Sequence, residues 1–121
     1  MLTAGWALPF AGALVAMLRR VQASSAPLAV TIPPDVPAGL SVLTPLVIHR
    51  GNGDVIRAFS GRCTHLGCQI DRVIDNEAVC PCHGSRYRPD GTVSAGPAAR
   101  SLTPLRVERD ELSGGWIARG S

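Results

Sequence analysis

Two short stretches of the chain concentrate side chains that bind metals. The first is CTHLGC at residues 63–68, and the second is CPCHGSRY at residues 80–87. Together they contain all four cysteines and two of the three histidines of the chain within 25 residues. Thiolates are soft ligands suited to zinc or iron–sulfur clusters, and neutral imidazole also binds iron. The two loops therefore indicate a metal site, a pair of disulfides, or both.

Three arrangements of these cysteines and histidines compete. In the first, Cys63, His65, Cys80 and His83 bind structural zinc as a Cys2His2 site. In the second, the cysteines form two disulfides and the histidines have no role. In the third, two cysteines bind one iron of a [2Fe–2S] cluster, two histidines bind the other iron, and the remaining two cysteines pair with each other. Only the third arrangement uses all six residues.

The two loops resemble those of the Rieske iron–sulfur proteins, and in particular the high-potential, disulfide-containing branch typified by the Rieske subunits of cytochrome bc and b6f complexes. The pattern of that family is Cys-x-His, a spacer, and Cys-x-x-His. The resemblance implies that Cys63 and Cys80 bind one iron and that His65 and His83 bind the outer iron of a [2Fe–2S] cluster. The spacer of 14 residues between His65 and Cys80 is short for the family and predicts a tight hairpin behind the first loop.

The resemblance also implies roles for residues beside the ligands. Cys68 and Cys82 fall on the positions of the family's disulfide. Ser85 and Tyr87 match positions whose hydroxyls donate to a bridging sulfide and to a ligand thiolate. Because both donors stabilise the reduced cluster, we predict a potential in the upper part of the range of roughly −150 to +300 mV.

Two further features resemble the parts of the family that shield the cluster. Gly96 and Pro97, followed by Ala98, look like the proline loop that covers the third side of the cluster in quinol-oxidising members. An ordinary turn is the alternative for this Gly-Pro pair. Leu66 resembles the apolar shield near the quinone contact, although loop packing alone also accounts for it.

The composition predicts an all-β fold. The chain has 121 residues, enough for one domain, with 4% aromatic residues, 13 glycines and 10 prolines, which is typical of a turn-rich β protein. Turn signals occur at residues 33–39, 51–53, 75–76, 88–91 and 113–115. Between them we predict strands at residues 28–32, 41–49 with a possible break at Pro45, 54–60, 70–74, 78–79, 105–108 and 116–118. The expected architecture is a small Rieske-type antiparallel β-sandwich over residues 28–121, with the two loops as a cluster-binding subdomain.

The beginning of the sequence has the character of a membrane anchor. Residues 1–18 lack charged side chains and are followed directly by Arg19 and Arg20. As a helix they would be about 27 Å long, at the short end of what crosses a bilayer core of roughly 30 Å. We predict one transmembrane helix over residues 1–20 and a flexible tether over residues 21–27. A signal peptide and a packed soluble helix are the alternatives, but signal peptides carry their basic residues before the apolar stretch.

The expected location involves a conflict between two signals. A disulfide requires an oxidising compartment, whereas basic residues after an anchor favour the cytoplasmic side. Family members are commonly exported folded, through a twin-arginine signal placed before the apolar stretch, and Arg19-Arg20 is not followed by such a stretch. We give the disulfide more weight and predict a single-pass protein of a bacterial inner membrane with its Rieske domain on the periplasmic face. This placement requires an upstream segment or a partner that carries the chain across.

The resemblance implies an electron-transfer subunit of a membrane respiratory or photosynthetic complex and not a stand-alone enzyme. Such a subunit accepts an electron, coupled to a proton, from quinol and passes it to a cytochrome, so a cytochrome b-like subunit and a c-type cytochrome are the expected partners. The alternative is the Rieske subunit of another membrane oxidoreductase, such as an arsenite-oxidase-like molybdoenzyme. Soluble Rieske ferredoxins and oxygenase domains lack the extra cysteine pair. The net charge of +3 is spread along the chain and predicts no nucleic-acid partner.

Overall fold

The computed structural model describes residues 28–120 and the single residue Val15, which is helical. The predicted anchor at residues 1–20, Val15 apart, and the predicted tether at residues 21–27 lie outside the described residues, so both remain predictions. Within the part of the chain that is described, no helix is long and apolar enough to cross a membrane.

The described chain is built from antiparallel strands, and the prediction of an all-β fold is confirmed. The ten strands are β1 (Ala29–Ile32), β2 (Gly39–Leu43), β3 (Leu46–Arg50), β4 (Ile56–Ser60), β5 (Arg72–Ile74), β6 (Glu77–Val79), β7 (Arg86–Tyr87), β8 (Val93–Ala95), β9 (Pro104–Arg109) and β10 (Trp116–Arg119). They form a base sheet of six strands, in the order β1-β10-β9-β4-β3-β2, and a small sheet of four strands, in the order β5-β6-β7-β8.

The segment predicted as one strand at residues 41–49 is two strands joined by a tight turn. Leu43 pairs with Leu46, so that only Thr44 and Pro45 lie between β2 and β3. Proline has no N–H for a strand ladder and a fixed φ, which makes it suitable for the turn and unsuitable for the interior of the strand. The carbonyl of Pro45 accepts a hydrogen bond of 2.8 Å from the N–H of Gly61 and thereby ties this turn to the start of the first loop.

The middle of the base sheet is covered on both faces. Along β3, Leu46 and Ile48 point into one core and Val47 points into the other, because successive side chains of a strand alternate between faces. The first core belongs to the base sheet and contains Ile32, Val36, Leu46, Ile48, Ala58, Trp116 and Ala118. The second core joins the base sheet to the two loops and contains Val47, Phe59, Cys63, Ile70, Ala78, Cys80, Tyr87, Ala98 and Leu102. The loops are therefore mounted directly on the back of β3 and β4.

Three loops meet at the opposite end of the base sheet from residues 63–68, and we call this region the distal end. It consists of residues 33–38, 51–55 and 110–115. Two arginines hold it together around Trp116: the Arg50 and Arg109 guanidinium groups lie 5.4 and 5.0 Å from the centre of its ring. Arg50 also donates to carbonyls of the first distal loop at 2.9 and 2.7 Å, and Arg109 pairs with Asp54 at 3.5 Å.

A glycine contact joins the end of the small sheet to the base sheet. Gly91 has a φ of +84°, and a Cβ added to it would lie 2.6 Å from Cε1 of the Phe59 ring. We expect Gly91→Ala to lower the free energy of unfolding by about 3 kcal/mol, the sum of backbone strain and overpacking. Urea unfolding of the full chain measures this.

The matched control is Gly39→Ala, at a glycine whose φ is +87° and whose added Cβ would have no neighbour within 4 Å. It retains the backbone strain and lacks the clash, so we expect a loss of only about 1 kcal/mol. Equal losses in the two variants would show that the contact with Phe59 has no steric importance.

Candidate metal centre

The two loops are brought together by the strands on either side of them. The first loop follows β4 and is closed at its base by a hydrogen bond of 2.7 Å from Ile70 N–H to Gly61 O. The second loop joins β6 to β7, and β5 and β6 form the tight hairpin that the short spacer predicts. Asp75 and Asn76 occupy its turn with φ values of 52° and 59°, as a two-residue type I′ turn requires. This hairpin places the end of β6 beside the beginning of β5, and hence the second loop beside the first.

The backbones of the two loops are closed by the same pair of hydrogen bonds. In each loop the N–H of the first cysteine donates to the carbonyl five residues later, and the glycine four residues after that cysteine donates back to its carbonyl. The bonds are Cys63 N to Cys68 O (2.8 Å), Gly67 N to Cys63 O (2.8 Å), Cys80 N to Ser85 O (2.9 Å) and Gly84 N to Cys80 O (3.1 Å). The loops are thus two copies of one backbone turn.

The side chains of the two copies are offset by one position. In this correspondence Cys82 occupies the place of His65, and His83 occupies the place of Leu66. The imidazole rings of His65 and His83 nevertheless meet, with 5.2 Å between ring centroids and an interplanar angle of 89°. Both histidines are exposed. The structure therefore brings the two predicted outer ligands together at the surface.

The four cysteines divide into two kinds. Cys68 and Cys82 form a disulfide, the pairing that the resemblance implies, whereas Cys63 and Cys80 are free thiols that are only 4% and 2% exposed. The sulfurs of Cys68, Cys80 and Cys82 lie within 4.8 Å of one another. Because two of these three sulfurs are oxidised, only Cys80 in this group has a thiolate to offer to a metal.

Tyr87 connects the first loop to the small sheet. Its Oη lies 3.2 Å from the Cys63 Sγ and accepts a hydrogen bond of 3.1 Å from the Thr64 N–H. The Thr64 hydroxyl lies 3.1 Å from the same oxygen and donates to the Arg100 carbonyl at 2.6 Å. Since the hydroxyl proton of Thr64 is committed to a carbonyl, the phenol proton of Tyr87 is available to donate to the sulfur.

The surroundings of the thiols affect them in opposite directions. Burial acts to raise the pKa of the Cys63 thiol, but hydrogen bonds from Tyr87 and from the His65 N–H outweigh burial and leave that pKa lowered. Burial raises the pKa of Cys80, although backbone N–H groups of the second loop oppose it. Burial also raises the pKa of the Tyr87 phenol, so this side chain remains a protonated donor at neutral pH.

A third segment, residues 96–100, lies against both loops. The Ala98 N–H donates to Ser85 Oγ at 3.0 Å, and Ser85 is fully buried. At its other end the segment accepts the Thr64 hydroxyl through the Arg100 carbonyl. Gly96 and Pro97, which begin the segment, are exposed.

The sequence predicts the position of Leu66 but not the contacts of Thr64. Leu66 is 68% exposed beside the histidines, in the place where an apolar shield is predicted. Thr64 and the backbone groups of Ala98 and Arg100 are contacts that the sequence did not predict. The position of Thr64 between Cys63 and His65 could have indicated a role for its hydroxyl. A contact made by a backbone carbonyl, such as that of Arg100, leaves no mark in the sequence.

The donor set of this site fits a two-iron cluster. Cys63 and Cys80 offer two buried free thiols, His65 and His83 offer two exposed imidazoles, and backbone N–H groups of both loops donate to the sulfurs. Thiolate on one iron and imidazole on the other is the ligand set that distinguishes Rieske centres from clusters with four cysteines.

Comparison with known proteins identifies the family. Residues 27–106 match the Rieske [2Fe-2S] domain, so the chain belongs to the Rieske family, and its cofactor is a [2Fe–2S] cluster. Of the three arrangements considered for the two loops, this excludes the structural zinc site and the pair of disulfides.

Within this family, the chain is similar in sequence to iron–sulfur subunits of cytochrome b6-f complexes. The chain is 54% identical over 46 residues to cytochrome b6-f complex iron-sulfur subunit 1 of Synechocystis, a match that covers 37% of this chain and 26% of that protein. It is 39% identical over 69 residues to the cytochrome b6-f complex iron-sulfur subunit of Chlorobaculum thiosulfatiphilum, covering 54% of this chain and 38% of that protein. The matched region is thus well under half the length of either relative.

Solved structures show the same fold. The cyanobacterial plasma membrane Rieske protein PetC3 from Synechocystis has a TM-score of 0.55 and 27% identity, covering 85% of this chain and 94% of that chain. Naphthalene 1,2-dioxygenase has a TM-score of 0.59 at 21% identity, with 77% of this chain and 26% of that chain covered. The second likeness concerns the fold alone.

The disulfide is expected to stabilise the loops measurably. Cys68 and Cys82 are separated by 14 positions, and a cross-link of this span stabilises a protein by about 3 kcal/mol, chiefly by restricting the unfolded chain. We expect the double variant C68A/C82A to unfold at lower urea concentration by that free energy, measured on the cluster-free full chain in detergent. Adding a reductant should bring the wild type to the stability of the variant and leave the variant unaffected. If the two proteins unfold together without reductant, the disulfide has no stabilising effect.

Proposed function

We propose that this chain is the electron-transfer subunit of a membrane quinol-oxidising complex of the cytochrome bc or b6f kind. In this proposal Cys63 and Cys80 bind one iron of the cluster, and His65 and His83 bind the other. The observation that carries the proposal is the pairing of two buried free thiols with two exposed imidazoles that touch each other at 5.2 Å between centroids. When bound, the cluster supplies reversible one-electron chemistry at a potential raised by its histidine ligands.

The residues around the ligands then have distinct tasks. The Cys68–Cys82 disulfide holds the two loops in register, and the segment at residues 96–100 keeps water from the third side of the site. Tyr87 and Ser85 donate hydrogen bonds to sulfur and so favour the more negative, reduced state. Leu66 presents an apolar surface beside the exposed imidazoles.

Quinol as electron donor and a cytochrome as acceptor are part of the same proposal. The exposed imidazole edges of His65 and His83 can hydrogen-bond to a hydroxyl group of a partner, and a histidine side chain can accept the proton that leaves with the electron. The relatives named as cytochrome b6-f complex subunits support a multisubunit partner that includes cytochromes.

A position at the outer face of a bacterial inner membrane completes the proposal. The disulfide supports an oxidising compartment, and the plasma membrane protein among the solved relatives supports attachment to a membrane. The predicted anchor at residues 1–20 would provide that attachment, with residues 21–27 as the tether to the domain at residues 28–121.

The ligand set is tested by replacing one histidine at a time. We expect His83→Gln to abolish the electron paramagnetic resonance signal of the reduced Rieske cluster in the purified full chain, because the outer iron loses one of its two imidazoles. His49→Gln is the matched control, since His49 lies in β3, outside both loops, and should leave the signal unchanged. An unaltered spectrum for His83→Gln would remove His83 from the ligand set.

The role of Tyr87 is tested through the potential. Tyr87→Phe removes the hydroxyl that lies 3.2 Å from the Cys63 sulfur and keeps the buried ring. We expect the midpoint potential to fall by about 40 mV, which corresponds to one lost hydrogen bond of about 1 kcal/mol in a one-electron reaction. Redox titration monitored by circular dichroism gives this value. An unchanged potential would mean that the hydroxyl serves only to anchor Thr64.

A further inference from the structure

Two arginines without an acidic partner in the described part of the chain contact the first loop. Arg62 is exposed, and its guanidinium donates to the Gly67 carbonyl inside that loop at 3.3 Å. Arg100 is exposed, and its carbonyl holds the Thr64 hydroxyl of the same loop. Arg62 thus contacts the first loop through its side chain, and Arg100 contacts it through its backbone at Thr64, the residue before His65. Neither forms an ion pair within residues 28–120.

Both loops and the segment at residues 96–100 contain no carboxylate of their own. Residues 55–70, 78–89 and 91–107 contain no aspartate or glutamate, and these stretches include both loops and the segment at residues 96–100. Elsewhere most arginines are neutralised. Six of the ten that the structure describes form ion pairs, namely Arg50, Arg72, Arg86, Arg106, Arg109 and Arg119. Arg62 and Arg100 are thus left without an ion-pair partner in the described part of the chain.

The distal end has the opposite character. Its three loops contain Asp35, Asp54, Asp110 and Glu111, and the two arginines that hold it together, Arg50 and Arg109, offset only two of these four negative charges. Of these four, only Asp54 pairs with arginine in the described part of the chain. The domain is therefore polarised along the base sheet, with positive charge at the histidine end and negative charge at the distal end.

We propose that the histidine end docks on an acidic surface of a redox protein, with Arg62 and Arg100 as the basic rim and Leu66 as the apolar centre of the contact. This inference rests on the proposed function and names the partner chemistry of the same site. A charge asymmetry of this kind orients a domain before contact and raises the rate of productive encounter. A protein partner is favoured over an anionic lipid surface because the contact includes the imidazoles, through which electrons must reach a second redox centre.

The test measures binding of the cluster-loaded full chain, in detergent, to an acidic c-type cytochrome and to a basic one, by calorimetry at low and at high salt. We expect tighter binding to the acidic cytochrome and weaker binding as salt increases. The variant R62E/R100E should bind the acidic cytochrome at least about tenfold more weakly at low salt. The control R57E/R106E makes the same change in net charge on exposed positions of the base sheet and should change affinity less than about twofold.

Several outcomes would overturn the inference. Equal losses in the two variants would mean that only net charge matters, and no loss in R62E/R100E would mean that the rim makes no contact. If R62E/R100E abolishes binding to vesicles containing phosphatidylglycerol and leaves cytochrome binding intact, the surface binds lipid. The cluster signal of the wild type separates this inference from the proposed function. If the signal is absent the proposed function fails, and if it is present without charge-dependent binding only the acidic partner is wrong.

Discussion

The structure depends on the two backbone hydrogen bonds by which each of Cys63 and Cys80 closes its own loop. Cys63 and Cys80 close their loops with their N–H groups and carbonyls, and the same residues direct their thiols into the second core. The same backbone geometry therefore both closes each loop and places its buried thiol. The β5–β6 hairpin brings the two closed loops face to face, and the Cys68–Cys82 disulfide joins them.

The base sheet supports the two loops. Because β3 is buried on both faces, the core beneath the loops and the core of the base sheet share one set of strands. The Pro45 carbonyl fixes the start of the first loop from below, and Gly91 lets Phe59 pack against the end of the small sheet. A change in either core is thus expected to affect the two loops, although Cys63 and Cys80 belong only to the second core.

The sequence predicts the type of metal site and the fold class of this protein, but not the contacts between its side chains. Residue type and spacing are enough to place the loops, the tight turn at Asp75 and Asn76 and the all-β fold, because each depends on local chemistry. The strands β7 and β8 were not predicted, since two or three residues beside a metal motif carry no periodic signal. The arginines are spread along the sequence, but in the folded chain six of the ten described arginines pair with acids, whereas Arg62 in the first loop and Arg100 beside it do not.

The one-position offset between the loops has a consequence for the side chains that the two backbone turns carry. Two backbone turns closed by the same hydrogen bonds carry their histidines at different positions, the third residue in the first loop and the fourth in the second. At these two positions the second loop has Cys82 then His83, and the first loop has His65 then Leu66. Unlike side chains can thus stand on like backbone turns without any difference in the length of the two loops.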